Sequence, residues 1–185
     1  MNKPLSWKHL PAGQNGFFRA PVLVYGDTEA VLIDGGFTFS DGRAVVEAIQ
    51  ATGKTLTTIY ISQSDPDFYF SIKPIKDAFP NVRVLAASDT IASIKGNIEK
   101  KLAVWGPQLN DNGPQTLADI VMPEAFDGAS LTVDGEAIEI INAEGLANRR
   151  YVFVPSLNAV FGGVMIFANA HVWTADTATP ELRSA

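Results

Sequence analysis

Apolar positions recur with two periods along this chain, and the alternation between them sets out the order of elements. Pro21-Val22-Leu23-Val24-Tyr25 and Ala30-Val31-Leu32-Ile33 are β-rich runs separated by the turn-forming Gly26-Asp27-Thr28-Glu29, which predicts an antiparallel pair. Between Ser40, a candidate N-cap, and Gly53, a candidate C′ residue, Ala44, Val45, Ala48, Ile49 and Thr52 recur at helical spacing. That segment predicts a helix of about three turns. Leu56 to Ile61 reads as a strand, followed by a polar loop from Ser62 to Asp67 and a second strand at Val82 to Ala86.

Ile91, Ile94, Ile98, Leu102 and Trp105 then form an apolar stripe at spacings of three and four, capped by Ser88 and stopped at Gly106-Pro107. Gln108 to Thr116, rich in Asn, Gly and Pro, predicts a surface loop. Leu131-Thr132-Val133 and Ala137 to Ile141 flank Asp134-Gly135 as a hairpin. Tyr151 to Val154 and Ala159 to Phe161 read as another hairpin. Strands alternating with helices in the first half, and strands dominating the second, predict an α/β layered sandwich.

Composition narrows this picture. The 185 residues, 46% apolar, fit one domain over residues 1–185, with no internal repeat or linker-like shift in composition. The absence of cysteine removes disulfides, thiolate metal sites and cysteine nucleophiles, so any metal must take nitrogen or oxygen ligands. Met1 to His9 has no apolar run of signal-peptide length, and no segment reaches the ~20 apolar residues that span a bilayer. The expectation is a soluble cytoplasmic protein without a membrane partner. A net charge of −6 argues against a nucleic-acid partner, since such binding depends on clustered Lys and Arg. Lys95 to Lys101, interrupted by Glu99, reads as a solvated helix face. No Gly-x-Ser-x-Gly elbow or Gly-rich phosphate loop supports a serine hydrolase or nucleotide site.

The sequence Leu32-Ile33-Asp34-Gly35-Gly36, a helix, Thr58-Ile59-Tyr60-Ile61-Ser62, an acidic loop, and late Val154-Pro155-Ser156-Leu157 with Gly162-Gly163 together resemble the metallo-β-lactamase superfamily over roughly residues 16 to 176. The resemblance implies a metallo-β-lactamase-like αββα sandwich, truncated at its C-terminus. It also implies a metal-binding loop of the pattern His-x-His-x-Asp-His after the strand. Here the matching stretch is Gln63-Ser64-Asp65-Pro66-Asp67-Phe68, so Gln63, Asp65 and Phe68 stand at the histidine positions and Asp67 alone is retained. A later family histidine falls near Leu146 and a bridging aspartate near Gly163.

On this resemblance Asp65, Asp67 and the late His171 are the candidate metal ligands, with Asp67 and His171 the candidate catalytic residues and Asp176 near them. Asp34 is implied as a support behind the ligands. Zinc is the family's ion, whereas a set of carboxylates suits magnesium, manganese or calcium better. The alternative for Asp65-Pro66-Asp67 is a capping turn. For His171, as for His9, it is a structural histidine, and Trp7, Trp105, Trp173, Phe17-Phe18, Phe37 and Phe39 read mostly as core.

Two functions follow. One is a metal-dependent hydrolase that activates water against a small-molecule ester, lactone or amide. The other is a binding or assembly module, or a truncated remnant, that has kept the scaffold without the metal. Ancestry favours the first and ligand count the second. Missing terminal elements would bare apolar sheet surface and a strand edge, and so predict a homodimer.

Overall fold

The computed structural model describes residues 4–163. His171, Trp173 and Asp176 lie outside the described residues. The early hairpin is β2 (Val22–Tyr25) with β3 (Glu29–Ile33), and β1 (Ser6–His9) pairs antiparallel on its outer side. From β3 the sheet turns parallel through β4 (Thr55–Ile61), β5 (Arg83–Ala86) and β6 (Glu124–Ala125), giving the order β1-β2-β3-β4-β5-β6. A second, antiparallel sheet has the order β10-β9-β8-β7, formed by β7 (Ser130–Val133), β8 (Glu136–Asn142), β9 (Arg150–Val154) and β10 (Ala159–Phe161).

Side chains alternate across the first sheet, and the alternation creates two cores. Leu23, Ala30, Leu32, Ile59 and Ile61 point to the helices, where they meet Val45, Ile49, Ile72, Ile75, Ile94 and Ile98. Val22, Val24, Val31, Ile33, Tyr60 and Leu85 point the other way, onto Val133, Ile138, Val152 and Val154 of the second sheet. Strands buried on both faces explain why β3 is an unbroken apolar run rather than an alternating one. The described layers are thus helices, sheet, sheet.

The turns follow from their residues. Asp134 and Gly135 both take positive φ, 48° and 85°, as a two-residue β7–β8 turn requires. The Asp134 carboxylate accepts the Thr28 N–H at 2.9 Å, which ties this turn to the β2–β3 turn.

Several helix limits differ from the sequence reading, and Ser88 is the first helical residue of the third helix, after the N-cap Ala87, rather than its cap. Helix α1 (Phe39–Gln50) is capped by Thr38 rather than Ser40, because the Thr38 hydroxyl and Asp41 carboxylate bond reciprocally across the first turn. The short α2 (Ile72–Ala78) follows the polar loop. Helix α3 (Ser88–Leu109) runs through Gly106-Pro107 instead of stopping there. The Gln115 amide donates to the carbonyls of Gly106 and Asn110, at 3.1 and 2.5 Å, and so satisfies this helix end from outside.

Candidate active site

The acidic loop leaves the C-terminal end of β4, at the edge where β3 also ends. Asp34, the residue after β3, takes φ 61° and is buried at 5% exposure. Its carboxylate accepts the Ser62 N–H at 2.7 Å and the Ser62 hydroxyl at 2.8 Å. Burial pushes the Asp34 carboxyl up to about 7, against the lowering effect of those two hydrogen bonds. The clasp continues through Gly35 and Gly36: the Gly35 N–H donates to the Phe68 carbonyl at 2.7 Å and the Gly36 N–H to the Ser71 hydroxyl at 2.5 Å. Gly35 cannot be larger, since a Cβ there would lie 2.6 Å from Ile72 and 3.1 Å from the Phe68 carbonyl.

Within the loop the two expected metal carboxylates are engaged by cations. The Asp67 carboxylate pairs with the Arg19 guanidinium, which also lies 4.8 Å above the ring of Phe68. Burial raises the Asp67 carboxyl above its ordinary value, and Arg19 offsets part of that rise. Asp65 accepts from Lys101 of α3 and from Arg149 of the β8–β9 loop, each at 3.1 Å. Asp65 precedes a single 3₁₀ turn, Pro66–Phe68, without a side-chain capping bond, so the capping reading of Asp65-Pro66-Asp67 is replaced by ion pairing. Lys101 is correspondingly not part of a purely solvated face.

None of the positions that the resemblance gives to histidine offers an imidazole: Asp65 is ion-paired, and the others carry an amide, a phenyl ring and an alkyl chain. Gln63 is 1% exposed, and neither its amide oxygen nor its nitrogen has a hydrogen-bond partner among the described residues. Phe68 is 3% exposed and packs under Arg19. Leu146 is 50% exposed. Gly163 stands beside the clasp, where a Cβ would lie 3.7 Å from the Asp34 carboxylate and 3.4 Å from the Ser62 hydroxyl. Gly163, the position that the resemblance gives to the bridging aspartate, supplies no side-chain ligand. His9 lies on β1 in a separate small groove with Asp41, Ala44 and Val45. No group of three or more His, Asp or Glu side chains that could hold a metal ion occurs among the described residues.

Among the described residues the donors are two ion-paired carboxylates and an amide, a set that zinc, which favours nitrogen and sulfur, would bind weakly. A harder ion would have to displace Arg19 from Asp67, and Lys101 and Arg149 from Asp65, since each carboxylate already has its countercharge. Sequence reasoning missed these three cations. It also missed the loop Leu10 to Pro21, whose Phe17 and Phe18 are 47% and 71% exposed rather than core. The signal available for that loop was Gln14-Asn15-Gly16, a turn sequence that places the two rings at a loop tip.

No protein-family model matches the sequence, nor does any curated protein. Solved structures do match. The BLEG-1 B3 metallo-β-lactamase aligns at TM-score 0.66 and 18% identity, over 92% of this chain and 77% of that one. A metallo-β-lactamase from Pontibacter korlensis aligns at 0.62 and 14%, over 96% and 75%. The DIM-1 metallo-β-lactamase aligns at 0.63 and 14%, over 96% and 73%.

Proposed function

We propose that this chain, which has the metallo-β-lactamase fold, acts as a binding protein in which ion pairs have replaced the metal centre, and not as a metal-dependent hydrolase. The observation that carries this reading is the neutralisation of Asp65 and Asp67 by Lys101, Arg149 and Arg19. A metal ion at such a loop draws separate loops onto one point. Here Arg19 brings in the β1–β2 loop, Lys101 brings in α3 and Arg149 brings in the β8–β9 loop, so the same convergence is obtained from side chains alone. Phe68 and Gln63 at ligand positions support the same reading, because neither supplies charge or imidazole.

Hydrolysis by this fold needs an ion to bring the pKa of water near neutrality. Among the described residues no group is placed to do that work. Asp34 is buried and committed to Ser62, and Asp67 is committed to Arg19.

The test is elemental mass spectrometry on protein prepared without chelator, with zinc, manganese, magnesium and calcium offered separately, next to an Asp65→Ala/Asp67→Ala variant. The reading expects substoichiometric metal in both proteins and no turnover of chromogenic ester, lactone or β-lactam substrates. One equivalent of metal that disappears in the variant, accompanied by turnover, overturns it.

A further inference from the structure

The loop between β1 and β2 presents two adjacent phenylalanines at a cost. Phe17 and Phe18 both have φ 54°, in the left-handed region that bulky residues avoid. Phe18 is also 71% exposed, so its ring gains little burial in return. Strain and exposed apolar surface in the same two residues point to a use outside the fold.

These rings border a groove of about 640 Å³ between the loop, the start of α1 and the end of α3. Its aromatic wall is made of rings packed at an angle: the exposed Phe17 lies 5.0 Å from Phe37 and 5.7 Å from Trp105, and Phe37, buried at 2% exposure, backs the wall 5.2 Å from Trp105, ring centre to ring centre. Phe37 is itself held from beneath by stacking on Phe70 at 5.8 Å, which fixes the wall to the core. The polar lining is mostly amide, from Gln14 and Asn15 on the loop, Gln108 on α3 and Asn112 after it, with the Thr38 hydroxyl beside them. Gln108 gives one N–H to the Val104 carbonyl at 2.9 Å, which leaves its other N–H and its oxygen for a ligand. Although the chain carries a net charge of −6, no Asp, Glu, Lys or Arg lines the groove among the described residues.

We infer that this groove binds a neutral saccharide. An aromatic face beside amides is complementary to a pyranose ring, whose C–H face packs on the π surface while paired hydroxyls donate to and accept from amide groups. A purely aromatic or aliphatic ligand would cover the rings but leave Gln14, Asn15 and Gln108 without partners, at a desolvation cost. A phosphorylated or acidic sugar would find no countercharge in the lining.

Arg19 connects this site to the acidic loop. It follows Phe18 directly, and its ion pair with Asp67 anchors the loop that carries the rings. The carboxylate at the retained position of the metal motif thereby positions a binding loop. The inference rests on the binding-protein reading above and names the ligand class for it.

Saturation-transfer NMR and calorimetry with maltotriose, cellotriose and triacetylchitotriose, followed by an array of neutral glycans, test the inference on the whole chain. The expected result is binding of at least one neutral glycan family. Phe18→Ala should weaken that binding about tenfold or more, the loss expected for one stacked ring, with an unchanged melting temperature because Phe18 is exposed. Arg19→Met should weaken it as well, through loss of the anchor. Absence of binding on the array, or binding indifferent to Phe18→Ala, overturns the inference, as does a preference for apolar peptides over glycans. The metal measurement separates the two claims: no glycan and no metal removes only the saccharide, whereas stoichiometric metal with turnover removes the reading beneath it.

Discussion

Replacing Arg19 with methionine leaves Asp67 with no ion-pair partner among the described residues in a largely buried position, with the carboxylate side chain only 13% exposed. Removing one partner of a fully buried pair costs about 3–5 kcal/mol, because the remaining charge stays desolvated. Arg19 is itself 25% exposed and water reaches the pair, so about half of that, roughly 2 kcal/mol, is the expected loss. For a chain of this length that corresponds to a fall in melting temperature of about 4–8 °C.

The pH dependence follows from the sign of the Asp67 shift. Its carboxyl already lies above the ordinary value of 3.8 in the folded protein, and without Arg19 it rises further. Stability tied to a raised carboxyl is whole below the unfolded value and is lost as pH climbs through the folded one. The deficit of Arg19→Met should therefore be small at about pH 4, near the ordinary value, and grow from there toward neutral pH. Differential scanning fluorimetry across that range measures it. In the double variant Arg19→Met/Asp67→Asn the stranded charge is gone, and much of the loss should return. A variant that melts with wild type at neutral pH, or a double variant that adds the two losses, would refute the replacement of the metal by an ion pair.

Other consequences are open to the same instruments. Gln63→Met removes a buried amide with no partner for either atom among the described residues and should be neutral or stabilising by up to about 1 kcal/mol; a clear loss would mean that the amide is bonded. Asp34→Asn keeps the shape of the Ser62 clasp but cannot ionise. Wild type should lose stability between about pH 4 and the folded value of about 7, on the order of 4 kcal/mol at most, and the variant should be flat there in a chemical-denaturation series. Light scattering at micromolar concentration should show a dimer, since β1 ends its sheet among the described residues with Trp7 half exposed; a monomer would sink that expectation.

The parts of this molecule that could be read from its sequence are those fixed by neighbours within a few residues. The β2–β3 and β7–β8 hairpins follow from turn residues between apolar runs, and α1 and α3 from apolar stripes that pack on β3 and β4. The place of the site was legible for the same reason: Asp34 and Ser62 each follow a strand, and parallel pairing of β3 with β4 brings those strand ends together. What the site contains was not legible. Asp67 finds Arg19 at a separation of 48 residues, and Asp65 finds Lys101 and Arg149 at 36 and 84. No period or motif reports such a meeting, because each cation sits in a segment whose local pattern is set by something else. Arg19 follows two loop phenylalanines, Lys101 lies on the polar side of an amphipathic helix, and Arg149 follows a residue at positive φ.

The same limit separates what kind of argument each residue supports. Gln63 and Phe68, read against a metal motif, say only that ligands are absent, and absence is compatible with drift. The structure adds that the remaining carboxylates have acquired partners, and three independent cations meeting two of them is harder to reach by neglect. A loop merely released from metal binding would leave Asp67 to lower its own cost by moving outward to water. Instead Asp67 is buried against Arg19, and Arg19 in turn fixes the loop that holds Phe17 and Phe18 beside Trp105. The charge pairs are therefore coupled to a surface that faces outward, and the binding proposed for that surface is the property they would support.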